Sequence, residues 1–261
     1  MEKPKKFRMK ITYPDGTVIN ARKDFKVWTD HVNITDLDFK GKRVLDVATD
    51  EGLWVFWSEM QGAEYVEASD VERGEDYDWG LEKDWDWINT LNQNRGGKKV
   101  FDYHYKNLNS KIVYKKESIY QAKGEFDFIF AHGLMYHLRH PLLAIDNMRK
   151  CCKGFFMFET FVDGHNKNQD IAETKFYRTT ELGPISNWTG ATSACFNSWL
   201  KDAGFNDVYY TDRGAPLGPP RQIFIGVVDP IYNERFKNCT NLHYCDDAYW
   251  EKVFQNTKYS K

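Results

Sequence analysis

The chain has 261 residues, 41% hydrophobic and 28% charged, enough to bury one sizeable core, and no stretch is of low complexity. Its formal net charge of -2 and pI near 6.4 carry no global basic footprint of the kind nucleic-acid binding demands, and the short cluster Lys3, Lys5, Lys6, Arg8 and Lys10 reads as a solvated tail. No apolar run approaches the ~18 residues of a membrane span and no basic, apolar, small-residue leader opens the chain, so the expectation is a cytoplasmic protein without a membrane partner. The five cysteines, Cys151, Cys152, Cys195, Cys239 and Cys245, show no C-x-x-C pair, and Cys239, His243 and Cys245 lack a fourth ligand, so no metal is expected.

In chain order, the first forty residues precede the α/β alternation and read as a lid or brace, with a hairpin over Thr12 to Ile19 turning at Pro14-Asp15-Gly16. From Gly41 an apolar strand, Val44-Leu45-Asp46-Val47, enters the turn Ala48-Thr49-Asp50-Glu51-Gly52. Leu53, Phe56, Trp57 and Met60 follow at helical spacing, Gly62 closes the helix, and Tyr65 to Asp70 reads as a second strand ending on a carboxylate. A carboxylate there is placed to accept both hydroxyls of a ribose while the turn brings backbone N–H groups to the ligand, which points to a nucleoside cofactor.

Between Glu67 and Asp86 nine acidic residues face two basic ones, with Trp79, Trp85 and Trp87 interspersed. This reads as an acidic surface helix anchored by its tryptophans, or as a segment in which one tryptophan packs on adenine or substrate. Ile112 to Tyr114 predicts a strand leading to Glu117-Ser118-Ile119-Tyr120. The unbroken apolarity of Phe126 to Phe130 predicts a buried strand. A helix follows with Pro141 in its first turn and Leu142, Ile145 and Met148 on one face. Ile223 to Val228 should pair antiparallel with Val208 to Thr211 at the sheet edge, and residues 229–261 should add helices that brace the domain or form a homodimer surface.

The segment Val44 to Gly52 resembles the first motif of class I S-adenosylmethionine-dependent methyltransferases, an acidic residue followed by three glycines at alternate positions. Asp46 and Gly52 keep the ends, whereas Ala48 and Asp50 replace the first two glycines. Ala48 costs little provided its φ is negative, and aspartate tolerates positive φ. Asp50 would repel a pyrophosphate, which favours S-adenosylmethionine over NAD or FAD. The run FDFIFAHGLMYHLRHPLLAI, from Phe126 to Ile145, is similar to a segment of the tRNA wobble-uridine carboxymethyltransferase-like family. So are Phe155 to Thr160 with its terminal E-T, Asn197 to Leu200 with Gly204-Phe205, and Pro220 to Ile225 with its arginine.

The resemblance covers residues 41–228. It implies an α/β, Rossmann-like class I methyltransferase fold with a mostly parallel seven-stranded sheet and a final antiparallel strand, and a cap inserted near 161–190 that includes His165, Tyr177, Arg178 and Trp188. For the cofactor it implies Asp46, Ala48, Asp50, Gly52 and Asp70, with Ser118 and Ile119 at the adenine and His132 beyond. On the transfer side it implies Tyr136 facing the transferred group, Arg221 reaching an anionic part of ligand or substrate, and His137 as the base, with His132 the second candidate; Glu159 anchors the cofactor's amino group or substrate, or caps the next loop.

The tRNA enzymes' W-R-K-G-P-F segment, whose lysine meets the carboxylate of carboxy-S-adenosylmethionine, has no clean counterpart; Lys10 alone sits at a comparable distance before Asp15-Gly16. Ordinary S-adenosylmethionine is therefore favoured over carboxy-S-adenosylmethionine, and the leading expectation is methyl transfer to a small molecule, sugar or nucleoside. The alternatives are methyl or carboxymethyl transfer to tRNA, and a non-catalytic cofactor-binding protein of the same fold. The altered Ala48/Asp50 turn supports the last and the Tyr136-His137 pair opposes it.

Overall fold

A run of apolar residues too long to have a wet face ends up inside a sheet covered on both sides, and Phe128, Ile129, Phe130 and Ala131 are all fully buried in such a strand. The computed structural model describes residues 3–21, 23–79, 83–94, 97–163, 168–177, 187–214, 218 and 220–257. The short strands β1 (Met9–Thr12), β2 (Val18–Ile19) and β3 (Lys23–Asp24) make a small sheet ordered β2-β1-β3, followed by α1 (Lys26–His31). The hairpin turn is where it was expected, with Gly16 at φ +86°. The main alternation runs β4 (Arg43–Val47), α2 (Leu53–Met60), β5 (Tyr65–Asp70), α3 (Trp85–Asn94), α4 (Gly97–Asn107), β6 (Val113–Lys116), β7 (Phe126–His132), α5 (Pro141–Cys151) and β8 (Cys152–Phe161). Then come β9 (Thr174–Phe176), β10 (Thr189–Ala191), α6 (Ser193–Asp202), β11 (Asp207–Thr211), β12 (Arg221–Val227), α7 (Asn233–Lys237), β13 (Leu242–Tyr244) and α8 (Asp247–Thr257).

The central sheet is ordered β13-β11-β12-β8-β7-β4-β5-β6. Strands β6, β5, β4, β7 and β8 are mutually parallel, and β12 runs antiparallel to both β8 and β11. This is the expected mostly parallel sheet with an antiparallel late strand, but it has eight strands, not seven. The extra one is β13, which pairs antiparallel with β11 inside a region expected to be helical. Its three residues, Leu242-His243-Tyr244, are too few to show an alternation, and pairing with an open edge supplies the order that local propensity does not. Strand β12 lies inside the sheet, between β11 and β8, rather than at its edge.

One core layer packs α1, α2, α4 and α7 against the sheet through Trp28, Trp54, Val55, Phe101 and Phe236; the other packs α5 and α6 through Ala144, Ile145, Met148, Phe196 and Leu200. Leu142, expected on the inner face of α5, is 44% exposed, because the buried stripe runs through Ala144, Ile145, Met148 and Cys151. Among the described residues no helix is long and apolar enough to cross a membrane. The register determines what meets at the carboxyl ends of the strands: His132 lies opposite Glu159, Glu159 opposite Ile223, and Phe161 opposite Arg221, so β7, β8 and β12 deliver His132, Glu159 and Arg221 to one place.

Candidate active site

The turn after β4 takes left-handed conformations at alternate residues, with φ of +57° at Ala48, +50° at Asp50 and +82° at Gly52. The alternating pattern is thus kept although two of its three residues are not glycine. Ala48 does not have the negative φ expected of it, and a left-handed alanine costs roughly 1–2 kcal/mol. The turn is held regardless: Thr49 N–H donates to Ser69 carbonyl at 3.1 Å, and Asp50 N–H donates to Asp70 Oδ2 at 3.0 Å. At Gly52 the requirement is packing, since a Cβ there would lie 2.5 Å from Phe101 and 2.6 Å from Phe56. Gly52 therefore supports the site from beneath helix α2 and does not line the cavity.

A cavity of about 1090 Å3 opens over these strand ends. Asp70 closes β5 with only 5% of its surface exposed; its Oδ1 also accepts from Val71 N–H at 2.7 Å. Asp46 is 2% exposed, accepts from Thr49 Oγ1 at 2.7 Å, and is pushed up to about 8 by burial. Because its folded pKa lies above the unfolded value, the stability from its protonated form is present at low pH and lost as pH rises through about 8. Unfolding titrations between about pH 6.5 and pH 8.5, above the ordinary histidine range, should therefore show wild-type stability falling relative to Asp46→Asn. Parallel stability curves would refute the buried, neutral Asp46.

Ser118 and Ile119 line the cavity beyond Asp70, and Glu117 joins them. Glu117 was not singled out, although it adjoins Ser118; its Oε1 is buried and makes no hydrogen bond, and burial raises its pKa. Tyr120 hydroxyl donates to Asp78 Oδ2 at 2.6 Å and tethers this wall to the segment that follows the 310 turn Gly74–Asp76.

At the opposite end His132, Tyr136, His137, Glu159 and Arg221 all line the cavity. His132 stacks on Trp54 at 4.4 Å and lies 5.2 Å from the Trp28 ring. Both its ring nitrogens are buried without a hydrogen-bond partner, and burial first, then the Arg221 charge, hold it well below its ordinary pKa. Its imidazole, packed against two indoles, forms part of the cavity wall. The Arg221 guanidinium is gripped by Glu159 through Nε to Oε1 and through Nη2 to Oε2, the latter at 2.7 Å, and its Nη atoms lie 3.4 and 3.5 Å from Tyr136 hydroxyl. Glu159 thus meets the arginine rather than capping a loop. The rings of Tyr136 and His137 are 4.1 Å apart.

The basic terminus is not simply a solvated tail. Lys6, Phe7 and Arg8 line the cavity; Arg8 N–H donates to Glu51 Oε2 at 2.8 Å and its guanidinium meets Asp50 Oδ2 at 2.6 Å. Lys10 is not among the lining residues. None of Trp79, Trp85 and Trp87 reaches the cavity, whereas Tyr77 does. Trp79 instead packs with Ile88 and Trp188 in a small separate core, and Trp85 is 57% exposed. In the segment expected to form a cap, Tyr177 is buried and donates to Asp163 Oδ1 at 2.8 Å, while residues 164–167 and Arg178 lie outside the described residues.

A family model described as "Methyltransferase domain" matches residues 21–210. Among curated proteins, tRNA U34 carboxymethyltransferase of Syntrophotalea carbinolica is 32% identical over 102 residues, covering 38% of this chain and 30% of that protein. The same enzyme of Pseudomonas fluorescens is 25% identical over 178 residues, covering 67% of this chain and 49% of that protein. The chain thus matches less than half the length of either relative. Among solved structures, the N-terminal domain of EvdMO1 in the presence of SAH and D-fucose superposes with a TM-score of 0.55 at 13% identity, covering 82% of this chain and 88% of that one. Magnesium protoporphyrin IX methyltransferase from Synechocystis PCC 6803 with bound SAM gives 0.51 at 12% identity, covering 77% of each chain. At such identities the structural likeness speaks for the fold.

Proposed function

The chain belongs to the methyltransferase-domain family, and from that premise we propose that it transfers the methyl group of S-adenosylmethionine to a small-molecule, sugar or nucleoside acceptor. The observation that carries the reading is Asp70, a buried carboxylate at the carboxyl end of β5 that holds the turn after β4 through Asp50 N–H beside the cavity. Asp70 would take the ribose hydroxyls, Ser118 and Ile119 would flank the adenine, and the unpartnered Glu117 Oε1 suits its exocyclic amine. The excess of carboxylates around the cavity matches a cationic cofactor and opposes a pyrophosphate.

Bound there, S-adenosylmethionine would supply an electrophilic sulfonium methyl for in-line displacement by the acceptor. The protein's part is to hold the acceptor on that axis and keep water out. Tyr136 would face the transferred group, and His137, whose ring adjoins it, would take the acceptor's proton where there is one. His132 serves as the part of the cavity wall described above.

Calorimetry with S-adenosylmethionine and S-adenosylhomocysteine, followed by an acceptor screen, tests the reading; absence of binding by both would end it. With an acceptor in hand, Tyr136→Phe and His137→Ala should keep cofactor affinity within a few fold while lowering turnover, by about 10²–10⁴-fold where proton transfer is lost. Normal turnover by the folded fraction of either variant would return these residues to a structural role.

A second reading, methyl or carboxymethyl transfer to tRNA, is favoured by the curated sequence relatives. A carboxylate-rich cavity repels a polyanion, so this reading requires a basic docking face elsewhere. Its discriminator is RNA binding that weakens as salt rises.

A further inference from the structure

S-adenosylmethionine carries a sulfonium, an ammonium and a carboxylate, and in this cavity the carboxylate is the difficult guest. Eight carboxyl side chains line the cavity against three permanent cations, Lys6, Arg8 and Arg221. Two of the three are neutralised from inside the protein, Arg8 by Asp50 at 2.6 Å and Arg221 by the buried Glu159. Lys6, exposed at the rim, makes no ion pair or hydrogen bond among the described residues.

The turn after β4 offers an anion little. Thr49 N–H is spent on Ser69 carbonyl at 3.1 Å, Asp50 N–H on Asp70 Oδ2 at 3.0 Å and Gly52 N–H on Thr49 carbonyl at 2.8 Å, and the side chains of Asp50 and Glu51 bring negative charge to the same place. A carboxylate arriving there needs a cation from outside the turn.

Strand order says where it arrives. Strands β6, β5 and β4 stand side by side, so a nucleoside with its adenine at Ser118 and its ribose at Asp70 carries its amino-acid chain on toward the end of β4. The N-terminal arm covers that end. Arg8 fastens the arm to the turn twice, through its guanidinium to Asp50 and through its N–H to Glu51 Oε2 at 2.8 Å. The Phe7 ring packs on α4 beside Tyr103 and His104, with centroids 5.7 and 5.5 Å away, and this anchoring carries Lys6 to the cavity.

We infer that Lys6 receives the carboxylate at the amino-acid end of the cofactor, and that the Arg8–Asp50 pair is the clasp that positions it. An ammonium on a flexible stem, with three donors and no fixed partner, suits a carboxylate that comes and goes with the ligand. The inference rests on the proposed reading of the cavity as a site for S-adenosylmethionine and adds to it the residue that holds the end remote from adenine.

Calorimetry on the full chain with S-adenosylhomocysteine and with methylthioadenosine, which keeps the nucleoside and the sulfur but lacks the amino-acid end, tests it. At low salt Lys6→Met should weaken S-adenosylhomocysteine about fivefold, the upper end of what an ion pair open to solvent supplies, and leave methylthioadenosine within about twofold. Lys6→Arg, which keeps the charge, should retain most of the wild-type affinity. Arg8→Ala, which frees the arm, should give the same selective loss, and combining it with Lys6→Met should cost nothing further, a coupling that independent contacts would not show. An unchanged dissociation constant for S-adenosylhomocysteine in Lys6→Met overturns the inference, and so does an equal loss for both ligands, which would assign Lys6 to the packing of the arm. Wild-type affinity in Arg8→Ala removes the clasp. If neither ligand binds the wild-type protein, the cofactor reading itself falls and takes this one with it; if both bind and their ratio is the same in Lys6→Met, only the role of Lys6 falls.

Discussion

Asp70→Ala is expected to weaken binding of S-adenosylhomocysteine at least tenfold. A carboxylate accepting from ribose hydroxyls makes charge-assisted hydrogen bonds worth about 1.5–3 kcal/mol each, and about 1.4 kcal/mol is a factor of ten in affinity. Asp70 carries a second load, because its Oδ2 accepts from Asp50 N–H at 3.0 Å and so holds a turn in which Ala48 and Asp50 both adopt positive φ. Removing the carboxylate thus deletes the ligand contact and releases a conformation that costs energy to keep. Asp70→Asn should fall between wild type and alanine, since the amide oxygen can still accept from Asp50 N–H without the charge. Calorimetric titration of the three proteins with S-adenosylhomocysteine checks the order, and an alanine variant with the wild-type dissociation constant would remove Asp70 from the site.

The parts of this architecture that were legible in the sequence are those whose cause is local. A strand buried on both faces must be apolar throughout, which made β7 visible, and helical spacing with a terminal glycine bounded α2 at Leu53–Met60. Asp70 was readable because strand, turn and carboxylate are contiguous. The features that were missed depend on partners far away in the chain. Strand β13 exists because β11 offers an open edge, about thirty residues upstream. Arg8 looked like any residue of a charged tail because its partner is Asp50, 42 positions on, and the Glu159–Arg221 pair spans 62 positions.

The altered turn shows the same limit. Read alone, Ala48 fitted the turn at negative φ and Asp50 at positive φ, whereas the fold keeps the left-handed geometry at both positions. What makes room for the Asp50 carboxylate is Gly97 at the start of α4, where a Cβ would stand 1.9 Å from Asp50 Oδ1, and what balances it is Arg8. An aspartate in a glycine's place is therefore matched by a glycine and an arginine elsewhere, a pattern that spacing along one sequence does not reveal. The lost glycines consequently speak less strongly for a non-catalytic protein than they did when read alone.

Arg221→Ala should produce the largest loss of stability among single changes at the site. It removes both hydrogen bonds that Glu159 receives from the guanidinium and leaves a carboxylate with 2% exposure without its counterion. Breaking a buried ion pair from one side typically costs about 3–5 kcal/mol, and because the Arg221 side chain is itself 29% exposed, the lower end of that range applies. Arg221→Lys should recover part of the stability, since an ammonium still meets the carboxylate, but it cannot reproduce the fork and should handle ligand almost as poorly as alanine. The pair Arg221→Ala with Glu159→Ala separates the two effects: with no charge left uncompensated, the double variant should be more stable than Arg221→Ala alone, giving a favourable coupling in a double-mutant cycle. Denaturant midpoints for the single and double variants measure this directly. A wild-type midpoint in Arg221→Ala, together with unchanged ligand binding, would make Arg221 an ordinary strand residue, whereas a stability loss that the double variant does not relieve would assign the cost to lost packing against the Tyr136 ring, 5.1 Å away, instead of to charge.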